Sequence, residues 1–299
     1  MTAIDVRELR KTYGDLTAVD DISFSVGRGE FFGILGPNGA GKTTALEIIE
    51  GLRRPDGGEV RLLGTNPWPR DRALLPRIGV QLQATAFFER LTAREQIRTF
   101  ASLYGVPHEA ADDWLDRVGL SDKANVICEK LSGGQAQRLS IACALVHDPE
   151  VVFLDEPTGS LDPQARRNLW DVLATLNDSG RTVVITTHYM DEAEALCDRV
   201  AIVDHGRLLE LDTPAALIQG LDAGVRIYVE RGLVGLEEAA RIPGVDSAVD
   251  DGASVVIATH RAGEVLAALA NLGVLHGLRV KGATLEDVFL TRTGREFRA

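Results

Sequence analysis

Short apolar runs alternate with longer amphipathic stretches from Ile4 to about Leu211. Phe31-Phe32-Gly33-Ile34-Leu35, Val151-Val152-Phe153-Leu154 and Val183-Val184-Ile185 show no polar face, as expected of strands buried on both sides. Helical stretches such as Gln164 to Leu176 lie between them. Buried strands alternating with helices predict an α/β core with a mainly parallel sheet. A more helical insertion is expected between about Ala84 and Asp148. In it, Thr92 and Glu95 stand at capping-box spacing and open a helix that runs to Tyr104. A second helix, Glu109 to Val118, stops at Gly119, a C′ glycine.

The pattern changes after Asp212-Thr213-Pro214, where a turn leads into a short helix and then a linker from Gly220 to Gly224. Val225, Ile227 and Val229 alternate with polar residues as a half-buried strand does. A short helix follows at Leu236 to Arg241, and Asp251-Gly252 marks a tight hairpin between two strand-like runs. Glu264 to Leu272 reads as a helix, Leu275 to Val280 as a last strand and Leu285 to Thr291 as a terminal helix. The order β-α-β-β-α-β is that of a ferredoxin-like split unit. The expected division is therefore a domain over residues 1–219 and a small α+β accessory or regulatory domain over 220–299.

Composition narrows the partners. Hydrophobic residues make up 45% and charged residues 25%, which is ordinary for a globular protein. Lys plus Arg total 32 against 44 Asp plus Glu, a net charge of -12, so no nucleic-acid partner is expected. One nucleotide in a local pocket is compatible with that field. No apolar run approaches the roughly 18 residues needed to span a bilayer, and Met1 to Asp15 lacks the apolar stretch of a secretory signal. The chain is expected to dock to a membrane component rather than to cross the membrane itself. Cys128, Cys143 and Cys197 lack metal or disulfide spacing and read as buried small hydrophobes in a reducing compartment.

Gly36-Pro37-Asn38-Gly39-Ala40-Gly41-Lys42-Thr43 fits G-x-x-x-x-G-K-[ST] between a predicted strand and a helix from Thr44 to Glu50. The glycines let backbone amides close around phosphates, and the helix N-terminus adds a favourable dipole. Lys42 should reach the β- and γ-phosphates and Thr43 should ligate Mg²⁺. Asp155 and Glu156 end the apolar run from Val151, at the strand end where ligands bind in open α/β sheets. Asp155 suits Mg²⁺, through water. Glu156 is then placed to orient and polarise the attacking water.

Between these motifs lies Leu131-Ser132-Gly133-Gly134-Gln135. Ser132 is a natural N-cap, and Gly133 and Gly134 expose amides at a helix start, a second anion-binding terminus. With the two motifs around it, this string resembles the ATP-binding subunits of ABC transporters over roughly residues 1–215. The resemblance implies a P-loop ATPase core with a helical subdomain. It also implies a head-to-tail homodimer in which the signature Ser132–Gln135 of one copy closes over ATP held by Asn38, Gly39, Ala40, Gly41, Lys42, Thr43 and Thr44 of the other. It implies that Tyr13 stacks on adenine, that Gln83 senses Mg²⁺ and the attacking water, that Asp162 crosses the dimer interface and that His188 contacts the γ-phosphate. Gln81 competes with Gln83, which has the better spacing to Leu91-Thr92. Ser160 stands where many relatives carry glycine, and Ala136 replaces a basic or polar residue after the signature.

Gly282 to Leu290 resembles the C-terminal segment of ABC-2-type exporter ATPases, including those similar to daunorubicin-resistance pumps. Leu285, Val288 and Phe289 form one apolar helix face, which either packs on the tail domain or supports assembly with a membrane subunit. The leading expectation is an ATPase that energises a separately encoded transmembrane permease from the cytoplasmic face of the membrane, exporting a drug-like or lipid-like substrate. The alternative is a soluble ABC ATPase of assembly or repair. Against it, translation-type relatives carry two ATPase domains, and repair-type relatives carry long coiled coils or zinc clusters. A third reading, a binding module using ATP only as a switch, conflicts with Asp155, Glu156 and His188 being present together.

Overall fold

The structure is a computed structural model that describes residues 1–83, 87–159 and 161–294. Ala84, the expected start of the helical insertion, and Ser160 lie outside the described residues. Met1–Pro214 form one compact unit, and a second begins at Ala215.

In the first unit, β1 (Thr2–Tyr13) and β2 (Leu16–Gly27) form an antiparallel hairpin, and β4 (Gly57–Leu62) pairs along the other edge of β1. The sequence pattern did not separate this sheet from the parallel one. Register shifts between Val6 and Leu9, and a left-handed Glu8 at φ 48°, break the alternation that would have marked it.

The larger sheet has six strands in the order β5-β6-β7-β3-β8-β9. These are β3 (Phe31–Leu35), β5 (Ile78–Gln81), β6 (Val151–Asp155), β7 (Thr182–Thr187), β8 (Arg199–Asp204) and β9 (Arg207–Asp212). All neighbours run parallel except the β8–β9 hairpin at the edge. Helix α1 (Lys42–Ile49) starts two residues earlier than the sequence suggested. Its Ala45, Leu46, Ile48 and Ile49 share one core with Val6, Leu9 and Ile22 of the antiparallel sheet and with Phe32, Phe153 and Val184 of the parallel one. Truncating Phe32 or Phe153 to alanine would cost about 3–5 kcal/mol.

Helices α2 (Ala93–Leu103), α3 (His108–Arg117) and α4 (Gly133–Leu145) fill the insertion. Thr92 and Glu95 form the expected capping box, and Gly119 adopts φ 64° just past α3. Arg138 from α4 donates to the Val118 and Gly119 carbonyls at 2.7 and 3.0 Å, satisfying the end of α3. Helices α5 (Pro163–Asp178) and α6 (Met190–Leu196) link β6 to β7 and β7 to β8. The three cysteines are free thiols and buried.

Helix α7 (Pro214–Gln219) begins at the division. The second unit then runs β10 (Val225–Glu230), α8 (Leu236–Ala240), β11 (Ser247–Asp250), β12 (Ser254–Thr259), α9 (Ala262–Asn271), β13 (Arg279–Lys281) and α10 (Leu285–Thr293). Its sheet is antiparallel in the order β11-β12-β10-β13, the arrangement of a split β-α-β-β-α-β unit. Ile227, Val229, Val255, Ile257, Val265 and Leu269 form its core. The Asp251-Gly252 turn closes as expected, with Gly252 at φ 91° and Asp251 N donating to Ser254 O at 3.1 Å. One expectation is corrected: the last strand spans Arg279–Lys281 rather than Leu275 to Val280, because Gly277 at φ 73° interrupts the extended chain. Leu285, Val288 and Phe289 of α10 are all buried, so this face is already covered within the chain.

Candidate functional site

Strand register decides which side chains meet. Gln81 stands beside Leu154, Asp155 beside Thr186 and Leu35 beside Thr187. The chain therefore leaves β3, β5, β6 and β7 along one carboxyl edge, delivering Gly36, Leu82, Glu156 and His188 to the same side.

The phosphate loop is held by close backbone approach. A Cβ on Gly36 would lie 2.1 Å from the Val203 carbonyl oxygen, and one on Gly41, at φ 99°, 2.1 Å from that of Ala18. Gly206 N donates to Ala40 O at 2.9 Å, and Asp20 N donates to Gly206 O at 2.7 Å, tying the loop to β2 and to the β8–β9 turn. Helix α1 has Gly41 at its N-cap with no side-chain cap, so its first amides face the loop without a competing side chain.

Lys42 is buried, and its Nζ donates to the Gly36 and Pro37 carbonyls at 2.8 and 3.1 Å and lies 3.2 Å from Glu156 Oε1. Burial pushes its pKa down, while Glu156 and Asp155 pull it back up. Thr43 Oγ1 donates to Asp155 Oδ1 at 3.3 Å, and Thr186 Oγ1 donates to the same oxygen. Burial pushes the Asp155 carboxyl up, against the Thr186 and Thr43 hydroxyls. Glu156 adopts φ 48°, and its amide is pinned by Thr186 O and Oγ1 at 3.1 and 3.0 Å. His188 Nδ1 lies 3.1 Å from Glu156 Oε2.

A cleft of about 400 Å³ opens over this loop, lined by Tyr13, by every residue from Asn38 to Thr44, and by Gln83 and Glu156. Tyr13 closes β1, its ring flanked by Lys11 Nζ at 5.6 Å and the Arg53 guanidinium at 5.3 Å. Gln83 lines the cleft, whereas Gln81 is buried and its amide donates to the Leu82 and Asp155 carbonyls at 2.5 and 3.4 Å. Leu16, Thr17, Ala18 and His205 also line it, residues that sequence reasoning did not mark. Only the turn pair His205-Gly206 carried a local signal for them.

The remaining candidates sit elsewhere. Ser132 caps α4, with Gln135 N donating to its Oγ at 3.3 Å and Ser132 N donating to Gln135 Oε1 at 3.0 Å; Gly133 and Gly134 begin the helix. Asp162 caps α5, accepting from Gln164 N at 3.0 Å and Ala165 N at 2.9 Å. None of Ser132, Gly133, Gly134, Gln135 and Asp162 lines the cleft of their own chain. No helix among the described residues is long and apolar enough to cross a membrane.

Residues 19–159 match the family model described as ABC transporter. The chain is 40% identical to the Nod factor export ATP-binding protein I of Burkholderia orbicola, covering 98% of this chain and 97% of that protein. It is 35% identical to the linearmycin resistance ATP-binding protein LnrL of Bacillus subtilis, covering 99% of each. Among solved structures, the dimeric post-hydrolysis ATP-binding cassette MJ0796 bound to ADP and phosphate aligns with a TM-score of 0.65 at 29% identity, over 70% of this chain and 98% of that one. An ATP-binding subunit of an ABC transporter aligns at 0.67 and 26%, over 73% and 92%.

Proposed function

This chain belongs to the ATP-binding proteins of ABC transporters, and from that premise we propose a division of labour among its residues. The protein is an ATPase that couples ATP hydrolysis to transport. The observation that carries the residue assignment is the convergence of Lys42, Thr43, Asp155, Glu156 and His188 at one sheet edge beneath the cleft. On this reading Tyr13 stacks on adenine, and the amides from Asn38 to Thr44 hold the phosphates. Lys42 leaves the Gly36 and Pro37 carbonyls for the β- and γ-oxygens. Glu156 accepts a proton from the attacking water as its oxygen bonds to the γ-phosphorus and the bond to the β–γ bridging oxygen breaks. His188 and Gln83 orient the γ-phosphate and that water. The reaction needs positioning and charge stabilisation above all, because the transition state is loose.

Thr43 and Asp155 offer hard oxygen donors 3.3 Å apart, a set that fits Mg²⁺ with its retained waters. Bound there, the ion would neutralise charge developing on the phosphate oxygens.

The capped start of α4 lies outside the cleft of its own chain. We infer that Ser132 to Gln135 and Asp162 meet the nucleotide of a second copy, giving a homodimer with two ATPs between its halves. The names of the relatives point to export, so the proposed assembly is a drug- or lipid-exporting pump with a separately encoded permease that holds this subunit at the cytoplasmic face of the membrane. Purified protein should release phosphate from Mg-ATP and pair in its presence. Co-expression with an adjacent gene encoding about six hydrophobic spans should yield a complex. Absence of hydrolysis and pairing, with the membrane partner included, would refute the reading.

A further inference from the structure

One helix grips the turn that carries His188. Arg166 and Trp170 stand four residues apart on α5 and so share a face. The Arg166 guanidinium lies 4.0 Å from the centre of the Tyr189 ring, and the Trp170 indole N–H donates to Glu192 Oε1 at 3.1 Å. Tyr189 and Glu192 bracket the start of α6. The Tyr189 ring lies 4.1 Å from the His188 ring, whose Nδ1 reaches Glu156.

Glu192 places a carboxylate in the interior. It is fully buried, where a carboxylate carries a large desolvation cost and an apolar residue would carry none. Burial pushes its carboxyl up, while the hydroxyls of Thr187 and Thr158, the Trp170 indole and the Arg166 charge pull it down. Thr187 directly precedes His188, and Thr158 follows Glu156 by two residues. The Glu192 carboxylate is thus bound to α5 through Oε1, while its Oε2 and the Thr158 Oγ1 have no hydrogen-bond partner among the described residues. That helix begins at its Asp162 cap.

We propose that Arg166 and Trp170, acting through Tyr189 and Glu192, are positioning residues that hold His188 in register with Glu156 and tie both to the Asp162 end of α5. The proposal rests on the roles given above to His188 and Glu156. It is physically economical: a part-buried imidazole keeps alternative rotamers unless its neighbours remove them, and small misplacements of reacting groups cost large factors in rate.

The test uses Trp170→Phe, which keeps the ring and deletes the indole N–H, and Arg166→Lys, which keeps the charge and deletes the planar stack. Single-turnover phosphate release from Mg-ATP, nucleotide titration and thermal melting are measured on the full chain. Each substitution should lower the hydrolysis rate about tenfold while ATP affinity stays within about twofold. In a His188→Ala background the same substitutions should produce no further loss. An equal fractional loss in both backgrounds, or an unchanged rate in both single variants, overturns the clamp and leaves the site reading standing. Wild-type hydrolysis by His188→Ala alone overturns the role of His188 and the clamp with it. Should Trp170→Phe melt early, the partly exposed Arg166→Lys carries the comparison.

Discussion

Replacing Glu156 by glutamine separates charge from shape at the centre of the site. The backbone there is pinned through its amide to Thr186, so φ 48° should persist in the variant. What changes is the pair of contacts from the carboxylate, 3.2 Å to Lys42 Nζ and 3.1 Å to His188 Nδ1. At the first distance the Coulomb attraction between unit charges is about 5 kcal/mol for an effective dielectric near 20, before desolvation offsets it. Removing it frees Lys42 for the phosphates and removes a negative charge facing them, so ATP should bind as tightly as before or more tightly. The amide cannot accept the water's proton, and loss of a general base lowers turnover by about 10²–10⁴. Phosphate release and fluorescent-nucleotide titration measure the two quantities separately. Turnover like that of the wild type would mean another base. A more than tenfold loss of affinity would mean that Glu156 supports the shape of the cradle instead of its chemistry.

Lys42→Ala should weaken nucleotide binding, and an unchanged affinity by titration would remove Lys42 from the site. Two glycine substitutions separate strain from collision. Gly39→Ala, at φ 80° with no atom within 4 Å of the new Cβ, should cost only the left-handed strain, about 1–2 kcal/mol. Gly36→Ala drives a Cβ to 2.1 Å from Val203 O and should cost more, about 3 kcal/mol or above; melting temperatures in the opposite order would refute this. Glu50 is buried, neither of its oxygens has a hydrogen-bond partner among the described residues, and burial, then Asp155 and Glu47, hold its carboxyl well above the usual range. The folded chain thus keeps this proton where the unfolded chain loses it. The associated stability is full below the unfolded value and fades as pH rises through the folded one, so Glu50→Gln should gain on the wild type in urea midpoints as pH rises above the ordinary carboxylate range. A difference independent of pH would refute it.

Legibility in the sequence followed how local each feature is. The cradle is one contiguous loop whose glycines, lysine and threonine are needed together, so Gly36 to Thr43 could be read without knowing what surrounds them. The carboxylates at the end of β6 were legible because a four-residue apolar run has to end where the sheet does. The antiparallel sheet was not, since its bulges at Val6 to Leu9 erase the period of two. Leu16 to Ala18 and His205 reach the cleft through pairings between distant segments. Nothing local in the sequence sets Glu50 and Glu192 apart from solvated charges, and only packing makes them buried carboxyls. In α10, the apolar period was visible, but whether that face was covered depended on the fold.

The net charge of -12 makes phosphate binding by this chain a local problem. Lys42 is the one lysine or arginine among the described residues lining the cleft, and Asp155 and Glu156 stand beside it. The formal charges of Lys42, Asp155 and Glu156 therefore sum to a negative value before any nucleotide arrives, with Lys11 and Arg53 set apart against the Tyr13 ring. Besides Lys42 and an ion held by Thr43 and Asp155, attraction for a triphosphate has to draw on oriented dipoles: the loop amides and the start of α1, which has no side-chain cap. Dipoles fall off faster with distance than charges, so the phosphates have to sit in contact with the backbone, which is what the close approaches at Gly36 and Gly41 permit. A single dipolar cradle of this kind grips a polyanion from one side only. The start of α4 is built on the same principle, yet does not line the cleft of its own chain. The electrostatic shortfall of one protomer and the helix end of another are thus complementary, and that complementarity is the physical ground for the pairing proposed above.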